Sequence, residues 1–146
     1  MNLMLSIFKV STVACLLAMA GSLLHAAEIK SPTDIPGATK VDAEGLLQLV
    51  ETIPDLIIID SRIALDRKQG YIQSSRSLPD VETNCTSLAK HIPTSKAPTL
   101  FYCNGVKCGR SAKAANIALQ CGYSRIYWFR GGFEEWKQKN YPYLKE

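Results

Sequence analysis

The chain has 146 residues, with 17 Lys and Arg against 13 Asp and Glu for a net charge of +4, and it carries five cysteines. A balance this mild and this evenly interspersed excludes a basic tract for nucleic acid, and the length allows one hydrophobic core rather than two. The cysteines are the distinctive chemistry.

Residues 1–27 begin with a single positive charge at Lys9. An apolar run from Val10 to Leu24 follows, and then small residues before Glu28. This is the pattern of a secretory signal peptide cleaved after Ala26 or Ala27. The run is short for a membrane span, so an exported protein is expected, in the bacterial periplasm and with no membrane attachment after cleavage. Cys15 and His25 leave with the signal. Cys85, Cys103, Cys108 and Cys121 remain in an oxidising compartment, where an even count allows disulfides that the sequence cannot pair.

Residues 28–40 hold Pro32, Pro36 and Gly37 without an apolar period and read as a leader running over the surface. The domain is expected over residues 41–146. Asp42 caps a helix over Ala43–Glu51 with Leu46, Leu47, Leu49 and Val50 on its apolar side. Leu56–Ile59 is an aliphatic run suited to a strand buried on both faces, and it ends at Asp60, Ser61 and Arg62. Ile63–Gln69 suits a short helix closed by Gly70, and a brief strand-like piece extends from Tyr71-Ile72 to Ser77-Leu78. A helix follows with Thr83 or Asn84 as cap and Leu88 and Ile92 at helical spacing; Pro93 ends it. Pro98–Cys103 is the central strand, Ala112–Cys121 a buried helix stopped by Gly122, Tyr123–Phe129 the last strand, and Phe133–Lys139 the last helix. Strands alternating with helices predict a small α/β domain, a parallel sheet with helices on both faces. Ligands in such sheets bind beyond the carboxyl ends of the strands, where Asp60 and Cys103 stand.

The stretch Leu100–Ser111, LFYCNGVKCGRS, reads as strand, polar loop and helix start. Backbone amides of a tight loop entering a helix point at an anion, and the helix dipole adds positive charge. A thiol at Cys103 in that field is expected to be acidic, which makes it the candidate nucleophile, against the alternative of a buried or disulfide-bonded cysteine. Asn104, Gly105, Val106, Lys107, Cys108, Gly109 and Arg110 form the candidate substrate-binding loop, with Lys107 and Arg110 supplying charge. Asp60 and Arg62 are supporting residues, an ion pair holding the loops at the strand ends. Neither histidine lies in a metal-ligand pattern, and no metal or cofactor is called for. Cys85 and Cys121 are each a small buried hydrophobe, or else form a disulfide that their spacing does not indicate.

Four ordered features together resemble the rhodanese family of single-domain sulfurtransferases. Asp60-Ser61-Arg62 looks like its Asp-x-Arg, and Gly70-Tyr71-Ile72 with Ser77-Leu78-Pro79 is similar to its Gly-His-Ile and Asn-Ile-Pro stretches. Cys103 through Arg110-Ser111 looks like the active-site loop, and Gly131-Gly132-Phe133 with Trp136 resembles its closing motif. The resemblance runs from about Val41 to Tyr143. It implies a persulfide on Cys103, loaded from a small anionic donor such as thiosulfate and unloaded by a thiol or cyanide acceptor. Two departures stand out. Arg110-Ser111 comes later than in the short family loop, and the Cys-x5-Arg signature of the longer-loop, phosphatase-like branch would need arginine at position 109, which is Gly109. The second departure is Cys108, which is a resolving thiol, half of a protective disulfide or a bystander. A thiol–disulfide redox protein using Cys103 and Cys108 with a protein redox partner, and a non-catalytic rhodanese-like binding module, are the competing functions.

Overall fold

The computed structural model of the protein describes residues 31–146. The expected signal segment and the first residues of the expected leader lie outside the described residues. Five strands form one sheet in the order β1-β5-β4-β2-β3: β1 (Ala38–Val41), β2 (Ile57–Asp60), β3 (Arg76–Ser77), β4 (Thr99–Tyr102) and β5 (Ile126–Phe129). Every strand pair is parallel. The helices are α1 (Ala43–Thr52), α2 (Ala64–Lys68), α3 (Cys85–His91), α4 (Arg110–Gln120) and α5 (Gly132–Gln138).

The uninterrupted apolar runs become the central strands because both sheet faces are covered. In β2, Ile57 and Ile59 join one core with Phe101, Trp128, Leu88 of α3 and Ala112, Ala115 and Ala118 of α4. Ile58 turns to the other face, with Leu100, Tyr102, Phe129, Leu46 of α1, and Phe133 and Trp136 of α5. The alternating alanines of α4 let it lie close to the sheet, while α3 starts on a reciprocal cap in which Asn84 accepts from the Ser87 amide and Ser87 from the Asn84 amide.

One expectation is corrected and one open alternative is closed. The stretch read as a surface leader contains β1, an edge strand whose partner β5 lies almost ninety positions away: Ala38 pairs with Ile126 and Val41 with Phe129. Its residues are mostly exposed, so no apolar run announces it. For Cys85 and Cys121, which the sequence leaves open between buried hydrophobes and a bridge, the structure shows a disulfide with Cα atoms 5.5 Å apart. Both sit on the face shared by α3 and α4, one at the start of α3 and the other capping the end of α4. The crossover topology brings them together, and spacing along the chain holds no trace of that.

The chain also returns on itself. Tyr71 and Leu144 form an antiparallel bridge, and Trp136 Nε1 donates to the Pro142 carbonyl at 2.8 Å. No helix among the described residues is long and apolar enough to cross a membrane.

Candidate active site

β4 is central and fully buried, so it delivers Cys103 to the middle of the sheet's carboxyl edge. From there the chain leaves toward β5 on one side, whereas after β2 it leaves toward β3 on the other; this divergence opens the ligand crevice of parallel sheets. Cys103 is 1 % exposed and Cys108 half-buried, and both are free thiols.

The loop from Cys103 to Gly109 is shaped by the start of α5. The Phe133 amide donates to the Cys103 carbonyl at 2.9 Å and the Glu134 amide to the Asn104 carbonyl at 2.7 Å. In a trans peptide the N–H points opposite the carbonyl, so pinning these two carbonyls outward turns the Asn104 and Gly105 amides inward. Gly132 permits the clamp. It has φ +59°, and a Cβ there would lie 2.3 Å from the Cys103 carbonyl oxygen. Cys108 closes the turn by donating its amide to the Gly105 carbonyl at 2.9 Å.

Helix α4 begins at Gly109 with no side-chain cap, which leaves its first amides available. The Ser111 amide acts to lower Cys103, and the Arg110 and Asn104 amides act to lower Cys108. Ser111 Oγ donates to Cys103 Sγ at 3.4 Å and accepts from Trp128 Nε1 at 3.0 Å, so a core indole fixes the hydroxyl that faces the sulfur. Cys103 Sγ in turn donates to the Cys108 carbonyl at 3.1 Å.

The expectation of an acidic Cys103 is reversed by this arrangement. Its hydrogen bond to Cys108, followed by burial, pushes the Cys103 thiol well above the ordinary range. Cys108 is lowered to about 6, first by the hydrogen bond from Cys103 and then by the Arg110 and Asn104 amides and the Arg110 charge. The Arg110 and Asn104 amides expected to acidify Cys103 act to lower Cys108 instead, a consequence of the longer loop carrying a second sulfur.

The mouth of the site is more balanced in charge than the loop sequence indicates. Arg110 NH1 donates to Asp66 at 3.0 Å and its Nε lies 3.8 Å from Asp80, while Lys113 Nζ donates to Asp80 at 3.0 Å. Asn104 Nδ2 also donates to Asp66, at 2.9 Å. Lys107 is exposed and makes no ion pair among the described residues, and Val106 is exposed beside it. Asp66 and Asp80 were not legible as site residues; the available signal was that Arg110, beginning a helix, calls for an anionic partner.

Asp60 and Arg62, at the end of β2, are only 0 % and 1 % exposed. Arg62 Nε and NH2 grip the two Asp60 oxygens at 2.9 and 2.7 Å, Arg67 NH1 adds a contact at 3.1 Å, and Tyr102 Oη donates at 2.8 Å. Arg67, absent from the sequence reading, completes a two-guanidinium site on one carboxylate and extends it to Ser75. With its partners saturated, this cluster holds the ends of β2 and β4 together rather than facing the crevice. Among the described residues no group of three His, Cys, Asp or Glu side chains converges as metal ligands.

Comparison with known proteins agrees with this architecture. The sequence model of the Rhodanese-like domain matches residues 42–139. A sulfurtransferase of Allochromatium vinosum is 26 % identical over 103 residues, covering 70 % of this chain and 92 % of the relative. A rhodanese domain-containing protein of Drosophila melanogaster is 30 % identical over 97 residues, covering 59 % and 86 %. Among solved structures, the BH2092 protein of Bacillus halodurans superposes with a TM-score of 0.66 at 25 % identity, over 74 % of this chain and 77 % of that one. The chain belongs to the rhodanese-like domain family, a sulfurtransferase-type family.

Proposed function

We propose that this member of the rhodanese-like family is an exported sulfurtransferase that moves sulfane sulfur from a small anionic donor of the thiosulfate type to a thiol or cyanide acceptor, through a persulfide on Cys103. The observation that carries the reading is the Cys103 sulfur itself, at the end of the central strand, contacted by the Ser111 hydroxyl at the start of α4. Developing negative charge on sulfur is favoured there by the helix dipole and fixed donors.

In this mechanism Cys103 reacts as its thiolate, toward which the Ser111 hydroxyl is already directed. Cys103 Sγ attacks the outer sulfur of the donor, the donor's S–S bond breaks, and its electron pair leaves with sulfite. The persulfide stays on Cys103 until a thiophilic acceptor takes its outer sulfur. Arg110 and Lys107 draw the donor in; Asp66 and Asp80 moderate that attraction, so capture is expected to rest on loop amides more than on net charge. Export to the periplasm is supported by the signal-like residues 1–27 and by the Cys85–Cys121 disulfide, a bond that persists in oxidising compartments.

The test is intact mass of the reduced protein after brief exposure to thiosulfate. A gain of one sulfur atom that disappears on adding cyanide and is absent from Cys103→Ser is the expected result. A sulfur adduct of equal yield in Cys103→Ser would remove Cys103 from the mechanism.

A further inference from the structure

The loop holds a second sulfur that the transfer reaction does not use. Cys108 is free and half-buried, and Cys103 Sγ donates to the Cys108 carbonyl at 3.1 Å, so the two thiol residues touch within one folded loop. The turn closed by the Cys108 amide on the Gly105 carbonyl sets the side chain in that position. A bystander cysteine would be expected to point to solvent or into apolar packing. This one belongs to a closed turn whose carbonyl is in contact with the sulfur proposed to carry the persulfide.

We propose that Cys108 is a resolving thiol, so that the loop reduces sulfane sulfur to hydrosulfide and closes a Cys103–Cys108 disulfide. This rests on the persulfide reading above. The Cys108 thiolate attacks Cys103 Sγ of the protonated persulfide, the Sγ–Sγ bond forms, and the bond from Cys103 Sγ to the outer sulfur breaks. The electron pair of that bond leaves with the outer sulfur, which keeps its proton and departs as hydrosulfide. The outer sulfur is reduced and the two cysteines are oxidised together. An external dithiol then reduces the disulfide by exchange, with the half-buried Cys108 as the accessible sulfur, and turnover resumes.

Three features favour attack at Cys103 Sγ over relay of the outer sulfur to Cys108. The sulfur facing Cys108 in the resting site is Cys103 Sγ itself. Cys103 is enclosed, so its persulfide is shielded from bulky acceptors, and an internal nucleophile has no access problem. A thiolate that titrates near ambient pH is in the favourable range for such attack.

The experiment is a single turnover without added reductant. The protein, with Cys103 and Cys108 reduced and Cys85–Cys121 intact, is mixed with one equivalent of thiosulfate or of inorganic polysulfide, and mass and released sulfide are followed together. Wild type is expected to gain one sulfur and then to lose it along with two hydrogens, releasing one hydrosulfide per chain, with peptide mapping showing Cys103 joined to Cys108. Cys108→Ser is expected to stop at the sulfur adduct on Cys103 and to release no sulfide; Cys108→Ala serves if the serine variant misfolds, and the wild-type linkage map stands without either. A wild-type adduct as long-lived as that of Cys108→Ser, or a sulfur adduct mapped to Cys108, overturns the resolving role while leaving the persulfide reading intact. Absence of any adduct in wild type and Cys108→Ser with both donors, and of any sulfide, overturns both.

Discussion

Replacing Gly132 with alanine separates backbone strain from damage to the site, because the fold supplies its own control. Gly122 and Gly132 both have positive φ, +90° and +59°, but a Cβ on Gly122 meets nothing within 4 Å whereas one on Gly132 lies 2.3 Å from the Cys103 carbonyl oxygen. Left-handed backbone costs an alanine about 1–2 kcal/mol, so both variants should lose about that much stability. At Gly132 the carbonyl must also retreat by about 1 Å to reach ordinary contact distance. That carbonyl is the clamp turning the Asn104 amide inward, and misplacement on this scale costs on the order of 100-fold in rate. Urea unfolding and initial rates of thiosulfate:cyanide sulfur transfer are the assays. Gly122→Ala is expected to keep its rate and lose only stability, and Gly132→Ala to lose both. Equal rates and equal midpoints for the two variants would refute the clamp as the device that shapes the loop.

Asp60→Asn leaves two buried guanidinium groups with their shared anion removed and is expected to cost about 3–5 kcal/mol, as broken buried pairs do; a loss under about 1 kcal/mol in urea would show that the cluster is not what holds β2 to β4. Removing both cysteines of the Cys85–Cys121 bridge, which are 36 positions apart, should lower stability by about 4 kcal/mol through loop entropy in the unfolded chain, read from the same unfolding curves. An unchanged midpoint would mean the bridge is not closed in the folded protein. For Cys108, lowered to about 6, the thiolate is the dominant form above that pH and is lost below it, so alkylation by iodoacetamide mapped to Cys108 should rise through about pH 6. In Cys103→Ala, which removes the largest cause of the shift, the midpoint should move up toward the ordinary thiol range; a wild-type midpoint already there would show that Cys103 does not lower Cys108.

Legibility in the sequence followed the range of the interaction responsible. The runs Ile57–Ile59 and Leu100–Tyr102 announced strands because burial on both faces leaves no polar residue to break them. Asn84 and Gly122 announced helix ends because caps and left-handed stops are local. By contrast β1 is a short edge piece whose reason to be a strand lies entirely in β5. The position of Cys103 followed from the strand–loop–helix pattern, but its protonation did not, because that depends on where Cys108 Sγ falls after the loop closes. Trp128 behind Ser111, and Asp66 against Arg110, are likewise pairings between distant segments that no local pattern encodes.

The Cys85–Cys121 bridge also makes a closed ring out of the part of the chain that holds β4, the cysteine loop and α4. Force applied at the ends of the protein passes through the bridge and around that ring. Of the extension released on forced unfolding, about 36 residues' worth, roughly 120–130 Å at full stretch, stays hidden while the bridge is closed. A protease that cuts once between the two cysteines opens the ring without freeing a fragment, so the two pieces separate only when the bridge is reduced. The segment bearing both free cysteines is therefore retained through mechanical stretching and through a single cleavage, and it is released only by reducing conditions.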